Sequence, residues 1–235
     1  MSPIVSVRGL RYRYPNGSVA LNGVDFDLSG GETVAVFGPN GSGKTTFASL
    51  LSERGAQIID ADVLGRDALR PAQPAWHSVV SQFGDEILQA NSLEIDRKRL
   101  ASIVFNEPHK LAALNAIVHP VIIKAIADHL ERLARTDEIV VLDAALIAEL
   151  GLESSLDAMI AVTAARGLRK ERLQRSRGMD PLDIEARMNA QMNPEEVAAR
   201  ADMVVRNDGR LEALVAEADR VWNELGKLRD AKQSS

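Results

Sequence analysis

The chain has no cysteine, which excludes a disulfide framework and any metal centre built on thiolates. That absence suits a reducing compartment, and a cytoplasmic protein is expected. A basic excess is also missing: 28 Lys and Arg stand against 33 Asp and Glu, for a formal net charge of −5. A bulk nucleic-acid binder usually carries the opposite balance, so no nucleic-acid partner is expected. A local basic pocket for an anionic substrate is still compatible with that total. No run of about 18 apolar residues occurs, so no membrane span is expected. No basic segment followed by an apolar core opens the sequence, so no signal peptide is expected. Internal repeats and low-complexity segments are absent too. What remains is an ordinary globular composition, and 235 residues suffice for one sizeable α/β domain with inserted subdomains.

One stretch stands out. Gly38-Pro39-Asn40-Gly41-Ser42-Gly43-Lys44-Thr45 fits G-x-x-x-x-G-K-[ST], the phosphate-cradling P-loop. Thr33 to Phe37 ahead of it is a short apolar, β-branched run that reads as a buried strand, and Thr46 to Leu51 reads as the helix that follows. The glycines let successive N–H groups, from Asn40, Gly41, Ser42 and Gly43 on to Thr46, turn inward around a polyphosphate. The helix N-terminus adds partial positive charge and Lys44 adds a full one. The Thr45 hydroxyl is placed to ligate magnesium. ATP with Mg2+ is the expected ligand.

Ahead of the loop, Ile4 to Tyr14 and Val24 to Leu28 read as two strands of a β-hairpin, with turn chemistry at Tyr14-Pro15-Asn16-Gly17. Behind it, Ala56 to Ile59, Ile139 to Asp143, Met159 to Val162 and Met203 to Val205 read as further strands. Residues 63–135 are mainly helical, in pieces separated at Pro71, Pro74, Gly84, Pro108 and Pro120. Leu168 to Arg177 and Leu182 to Met192 are amphipathic and rich in Arg and Glu. Leu211 to Leu225 reads as a closing helix, and the polar tail from Lys227 is expected to fray. Strands alternating with helices mean a parallel sheet with right-handed crossovers. The expected fold is a P-loop NTPase of the α/β class: a parallel sheet flanked by helices, with an N-terminal hairpin (1–31), a nucleotide-binding core (32–62, 136–164 and 201–228), a helical substrate-binding insertion (63–135) and a lid (165–200).

In such sheets ligands bind beyond the carboxyl ends of the strands, where the loop, Asp60, Asp62 and Asp143 all fall. If strand geometry continues past Asp60, the Asp60 and Asp62 side chains share a face. One can then serve as base for an acceptor hydroxyl and the other hold magnesium through water; the competing use of such aspartates is helix capping. Asp143, ending an apolar strand, resembles a Walker B aspartate that supports magnesium, or is a strand-terminal turn residue. Arg166, Arg169, Arg172, Arg175 and Arg177 crowd one helical stretch, with Arg169, Arg172 and Arg175 on one face. That pattern reads as a lid in which at least one arginine neutralises transition-state charge, the others forming a solvated face. His119-Pro120 is read as a break between two helices, and His119 is not a ligand on sequence alone. Tyr14 either stacks on adenine or packs on the sheet.

Two family likenesses follow from these residues. From about Ile4 to Leu50 the chain resembles the start of an ABC-type ATPase, on Tyr14, the hairpin, Gly31-Glu32 and the loop variant GPNGSGKTT. In that family the pre-turn aromatic stacks on adenine, which implies the same for Tyr14. From about Leu51 to Gly226 the chain resembles dephospho-coenzyme A kinase, on ERGAQIIDAD, FGDEIL, the IVHP around His119, VVLD at Asp143, ERLQRSRGM and the AQM around Gln191. This second likeness implies ATP-dependent phosphorylation of the ribose 3′-hydroxyl of dephospho-coenzyme A. It makes Asp62 the catalytic aspartate, Lys44 the P-loop lysine and Arg172 the lid arginine. Asn207 is expected at the nucleotide, Asp62, His119, Asp143 and Gln191 toward the acceptor, and Thr45, Asp60 and Asp143 at the metal. The chain departs from the kinase pattern at Pro39-Asn40, at Ala145 (usually proline), at Ala165-Arg166-Gly167 (usually an acidic pair) and at Arg206 (usually aspartate). A complete ABC subunit fails on content, because Ala144 stands where a catalytic glutamate would follow Asp143. The two likenesses meet inside the P-loop helix, which suggests a recombined or engineered chain. The alternative function is an ATP-binding module or slow ATPase. Nothing in the sequence signals an oligomeric state.

Overall fold

The computed structural model describes residues 5–13, 19–28, 32–105, 107–133, 136, 138–144, 152, 156–177, 181–190 and 194–233; Tyr14 and Gln191 lie outside them. The chain divides into two compact units, Met1–Ser29 with Ala61–Arg132, and Gly30–Asp60 with Leu133–Ser235.

The second unit holds a five-stranded sheet. Its strands are β3 (Glu32–Phe37), β4 (Gln57–Asp60), β5 (Ile139–Asp143), β6 (Ala158–Thr163) and β7 (Met203–Arg206), in the order β4-β5-β3-β6-β7. Every pairing is parallel. The near-continuous apolar runs of β3 and β5 follow from that arrangement, since a parallel sheet is covered on both faces; β5 is buried at every position. Helix α1 (Lys44–Ser52) follows the P-loop, and its apolar side carries Phe47, Leu50 and Leu51. These meet Val34, Val36, Ile160 and Val162 of the sheet and Leu214, Ala218, Val221 and Leu225 of the C-terminal helix (Leu211–Gln233). The spacing of that last set, four and three residues in turn, is one face of a helix. Phe47 is fully buried, a placement that stabilises by about 1.5–3 kcal/mol. Where fraying is expected from Lys227, the closing helix continues to Gln233; its charged residues there are good helix formers.

Among the described residues this unit also has the helices Arg166–Arg177, Pro181–Ala190 and Pro194–Ala199. Leu173, Ile184 and Met188 make a small core of their own that joins the first two. Arg166 pairs with Glu185 across the same contact, and Lys170 reaches that carboxylate at 3.6 Å.

The first unit contains the hairpin and the helical segment. β1 (Val5–Arg13) pairs antiparallel with β2 (Val19–Leu28), with Val5 opposite Leu28 and Arg13 opposite Val19. The helical segment comprises α2 (Ala61–Ala68), α3 (Pro74–Phe83), α4 (Arg97–Phe105) and α5 (Pro108–Leu133). Pro74 and Pro108 open their helices, where a missing N–H costs nothing. Gly84 follows α3 at a positive φ of 81°. Trp76, Val79, Phe83, Ile87, Leu100 and Val104 form the core, with Leu111, Leu114 and Ile117 of α5 packed on it.

Pro120 does not separate two helices; α5 runs through it. The proline forfeits one main-chain bond and strains its turn, by about 3 kcal/mol. Apolar packing on either side outweighs that: Leu114 and Ile117 before it, buried Ile123, Ile126 and Leu130 after it. By length and composition α5 also passes as a membrane span, although no such run was expected. Its packing onto the helical core and its buried His119 are features of a core helix.

Candidate active site

The site begins with the turn from β3 into α1. Gly43 caps α1 at φ 97°, a left-handed conformation that favours glycine. There is no room for more: a Cβ on Gly43 would stand 2.2 Å from Asn207 Nδ2. Ser42, fully buried, donates its N–H to the Pro39 carbonyl at 3.2 Å. The Ser42 carbonyl accepts from the Asn207 side-chain amide at 2.8 Å. Asn207 follows β7 and donates its own N–H to Thr163 at the end of β6, also at 2.8 Å. The loop is therefore clamped from the far side of the sheet, with its glycines at positive φ. The N–H-rich turn ahead of a helix suits a polyphosphate.

Register brings the acids together. Asp143 lies beside Val36 of β3 and beside Asp60 of β4, so both carboxylates stand at the carboxyl edge of neighbouring parallel strands. The Thr45 hydroxyl donates to Asp143 Oδ2 at 3.5 Å, a long bond. Asp143 is buried. Thr45, Asp60 and Asp143 line one cleft of about 470 Å³ together with Ser49, Ser52, Glu53 and Ile58. The three residues expected at a metal are thus in one place. Their donors are hydroxyl and carboxylate oxygens, the set that magnesium takes. No group of three His, Cys, Asp or Glu side chains converges among the described residues. Ser49, Ser52 and Glu53 were not singled out by sequence. Their spacing from Thr45, one and two turns along α1, was the available signal.

Asp62 departs from the strand reading. β4 ends at Asp60 and α2 starts at Ala61, so the two aspartates are not alternate residues of one strand and share no strand face. Asp62 is instead an exposed acid in the first turn of α2, where a negative charge suits the helix dipole.

The arginines are not equivalent. Arg175 is exposed and pairs with Glu171 at 2.8 Å, and Arg166 pairs with Glu185. That pairing holds the Glu185 carboxyl below its usual range. Arg172 donates from Nη2 to the Asn207 carbonyl at 3.0 Å. Arg169 is buried, and burial, with Arg166 nearby, lowers its pKa. Its main chain lies on the loop: a Cβ on Gly41 would stand 2.8 Å from the Arg169 carbonyl oxygen.

His119 belongs to α5 in the other unit and is 3% exposed. The surface or capping position usual for a lone histidine does not hold. Burial pushes its pKa down to about 4, so the ring is neutral near pH 7.

Comparison with known proteins follows the same outline. The family profile "Dephospho-CoA kinase" matches residues 32–213. The chain is 40% identical over 193 residues to the dephospho-CoA kinase of Anaeromyxobacter dehalogenans, covering 82% of this chain and 91% of that one. It is 42% identical over 192 residues to that of Streptomyces avermitilis, covering 82% and 93%. A crystal structure of a Thermus thermophilus protein superposes with a TM-score of 0.71 at 31% identity, covering 84% of this chain and 99% of that one. The match opens at residue 32, so kinase likeness includes β3 and the P-loop and does not start near Leu51. The comparisons lend no support to an ABC-type start, a joined chain, or a module that only binds or slowly hydrolyses ATP.

Proposed function

The chain belongs to the dephospho-CoA kinase family, and on that premise we propose that it moves the terminal phosphoryl group of ATP to the ribose 3′-hydroxyl of dephospho-coenzyme A. The O–P bond to ADP breaks, a new O–P bond forms to the ribose oxygen, and the hydroxyl proton is released. What carries this reading is the family match over residues 32–213, a span that includes the P-loop, both strand-end aspartates and the arginine helix.

Main-chain amides from Asn40 to Thr46 hold the polyphosphate, and Lys44 opposes its charge. Lys44 and Arg172 stabilise the charge that spreads over the transferring group. Thr45, Asp60 and Asp143 would hold a magnesium ion, directly or through water, and the ion would supply further neutralisation at the phosphates. Asp62 takes or orients the acceptor proton. Asn207 steadies the nucleotide site by holding the loop and Arg172. His119 and Gln191 serve the acceptor through the helical segment and the lid. A reaction between two dissolved small molecules suits a cytoplasmic setting.

The test is ADP release with and without dephospho-coenzyme A, for the wild type and for Asp62→Asn. Wild-type release is expected to depend on the acceptor. Asp62→Asn is expected to keep ATP affinity within about twofold and to lose about 10²–10⁴ in transfer. Acceptor-independent release, or normal transfer by the variant, overturns the assignment.

A further inference from the structure

Arg169 occupies an unusual position for a cation. The residue is 2% exposed, and its Nε and Nη1 are buried with no hydrogen-bond partner among the described residues. The charge that acts on it is another cation, Arg166, which Glu185 already engages. An arginine stays protonated even where burial lowers its pKa, so a desolvated positive charge is left with no acidic partner shown among the described residues. Such a group is among the costliest a fold can carry, and an orphaned buried donor calls for an explanation.

Three placements limit what it waits for. The Arg169 carbonyl oxygen, Cα and Cβ would stand 2.8, 3.2 and 3.2 Å from a Cβ on Gly41, so its main chain rests directly on the phosphate loop. Ser42, the next residue of that loop, is fully buried, and its hydroxyl also has no partner among the described residues. Three other arginines of the helix have occupations: Arg175 holds Glu171, Arg166 holds Glu185, and Nη2 of Arg172 holds the Asn207 carbonyl.

We propose that Arg169 is a binding residue for the polyphosphate of the donor nucleotide, with its buried Nε and Nη1 each donating to phosphate oxygens held by the P-loop. This rests on the kinase reading above, and it adds a residue to which the family resemblance assigned nothing. The planar guanidinium holds its donors in fixed directions, as a rotating ammonium does not. The anion has two conceivable sources, the donor or the phosphates of the acceptor. The seat on Gly41 favours the donor.

The experiment uses the full chain with Arg169→Met and Arg169→Lys. Affinities for Mg-ATP and for adenosine are measured by calorimetry, KM for both substrates by turnover, and Tm with and without Mg-ATP. Arg169→Met is expected to raise the Tm of the ligand-free protein by about 2–4 °C, because an uncompensated charge is gone. Its Mg-ATP affinity is expected to fall about 10–100-fold. Affinity for adenosine and KM for dephospho-coenzyme A stay within about twofold. Arg169→Lys recovers only part of the ATP affinity. An unchanged ratio of ATP to adenosine affinity in either folded variant overturns the proposal. A rise in KM for dephospho-coenzyme A alone assigns the contact to the acceptor and overturns it equally. If Arg169→Met does not fold, the ATP-to-adenosine ratio of Arg169→Lys decides. Acceptor-independent ADP release by the wild type sinks the kinase reading but leaves that ratio readable, so the two failures are distinguishable.

Discussion

The side-chain amide of Asn207 donates to the main-chain carbonyl of Ser42 over 2.8 Å, which fastens the end of β7 to the middle of the phosphate loop. The same residue receives Arg172 on its own carbonyl at 3.0 Å. Asn207→Ala leaves the Ser42 carbonyl without that donor, at a cost of about 1–3 kcal/mol. Gly43→Ala is strained for two reasons: its φ is 97°, and its new Cβ would stand 2.2 Å from Asn207 Nδ2. Asn207→Ala removes that very atom. The double variant is therefore expected to lose less stability than the two singles added together, by about 1 kcal/mol or more. Denaturant titration of the four proteins measures the coupling, and strict additivity contradicts the clamp.

Thr45 and Asp143 are 3.5 Å apart, with Asp60 beside Asp143 in the sheet. Asp143→Asn keeps the shape of the side chain and removes its charge. The magnesium concentration for half-maximal activity is then expected to rise about 10–100-fold. Thr45→Ser keeps the hydroxyl and should stay close to wild type, whereas Thr45→Val should follow Asp143→Asn. Turnover against free Mg2+ at saturating substrates is the measurement. An unshifted magnesium curve for Asp143→Asn removes that residue from the metal set.

The parts of this site that were legible in the sequence are those with local causes. The P-loop needs its glycines, Lys44 and Thr45 in consecutive positions, and the apolar strand before it needs only β-branched residues. Asp60 and Asp143 were legible for the same reason, each ending an apolar run. The placement of Asp62 on a strand face does not hold because β4 ends two residues before it, and a helix start obeys another period. Pro120 was misread because packing over the whole of α5 outweighs one lost bond, and no window of sequence contains that sum. The inequality among Arg166, Arg169, Arg172 and Arg175 was invisible for a related reason. On a helical wheel they differ only by angle, while in the fold one is buried on Gly41 and another is exposed. The hold of Asn207 on Ser42 joins residues 165 positions apart, a relation that only the sheet order creates.

His119 supplies a prediction whose sign can be worked out. Burial pushes its pKa from an ordinary 6.5 down to about 4 in the folded chain. Above about pH 7.5 the ring is neutral whether the chain is folded or not, so it contributes almost no pH dependence there. Below that, the unfolded chain takes up a proton that the folded chain refuses, and stability falls as the pH falls toward 4. At pH 4.5 the loss attributable to this one ring is about 2–3 kcal/mol relative to pH 7. His119→Gln cannot titrate, so its own loss between pH 7 and pH 4.5 is expected to be smaller than the wild-type loss by that amount. Urea denaturation of both proteins at both pH values gives the difference directly, with every other carboxylate and histidine common to the pair. Parallel losses, or an imidazole resonance of the folded wild type that titrates near 6.5, mean that the ring of α5 is not held neutral by its surroundings.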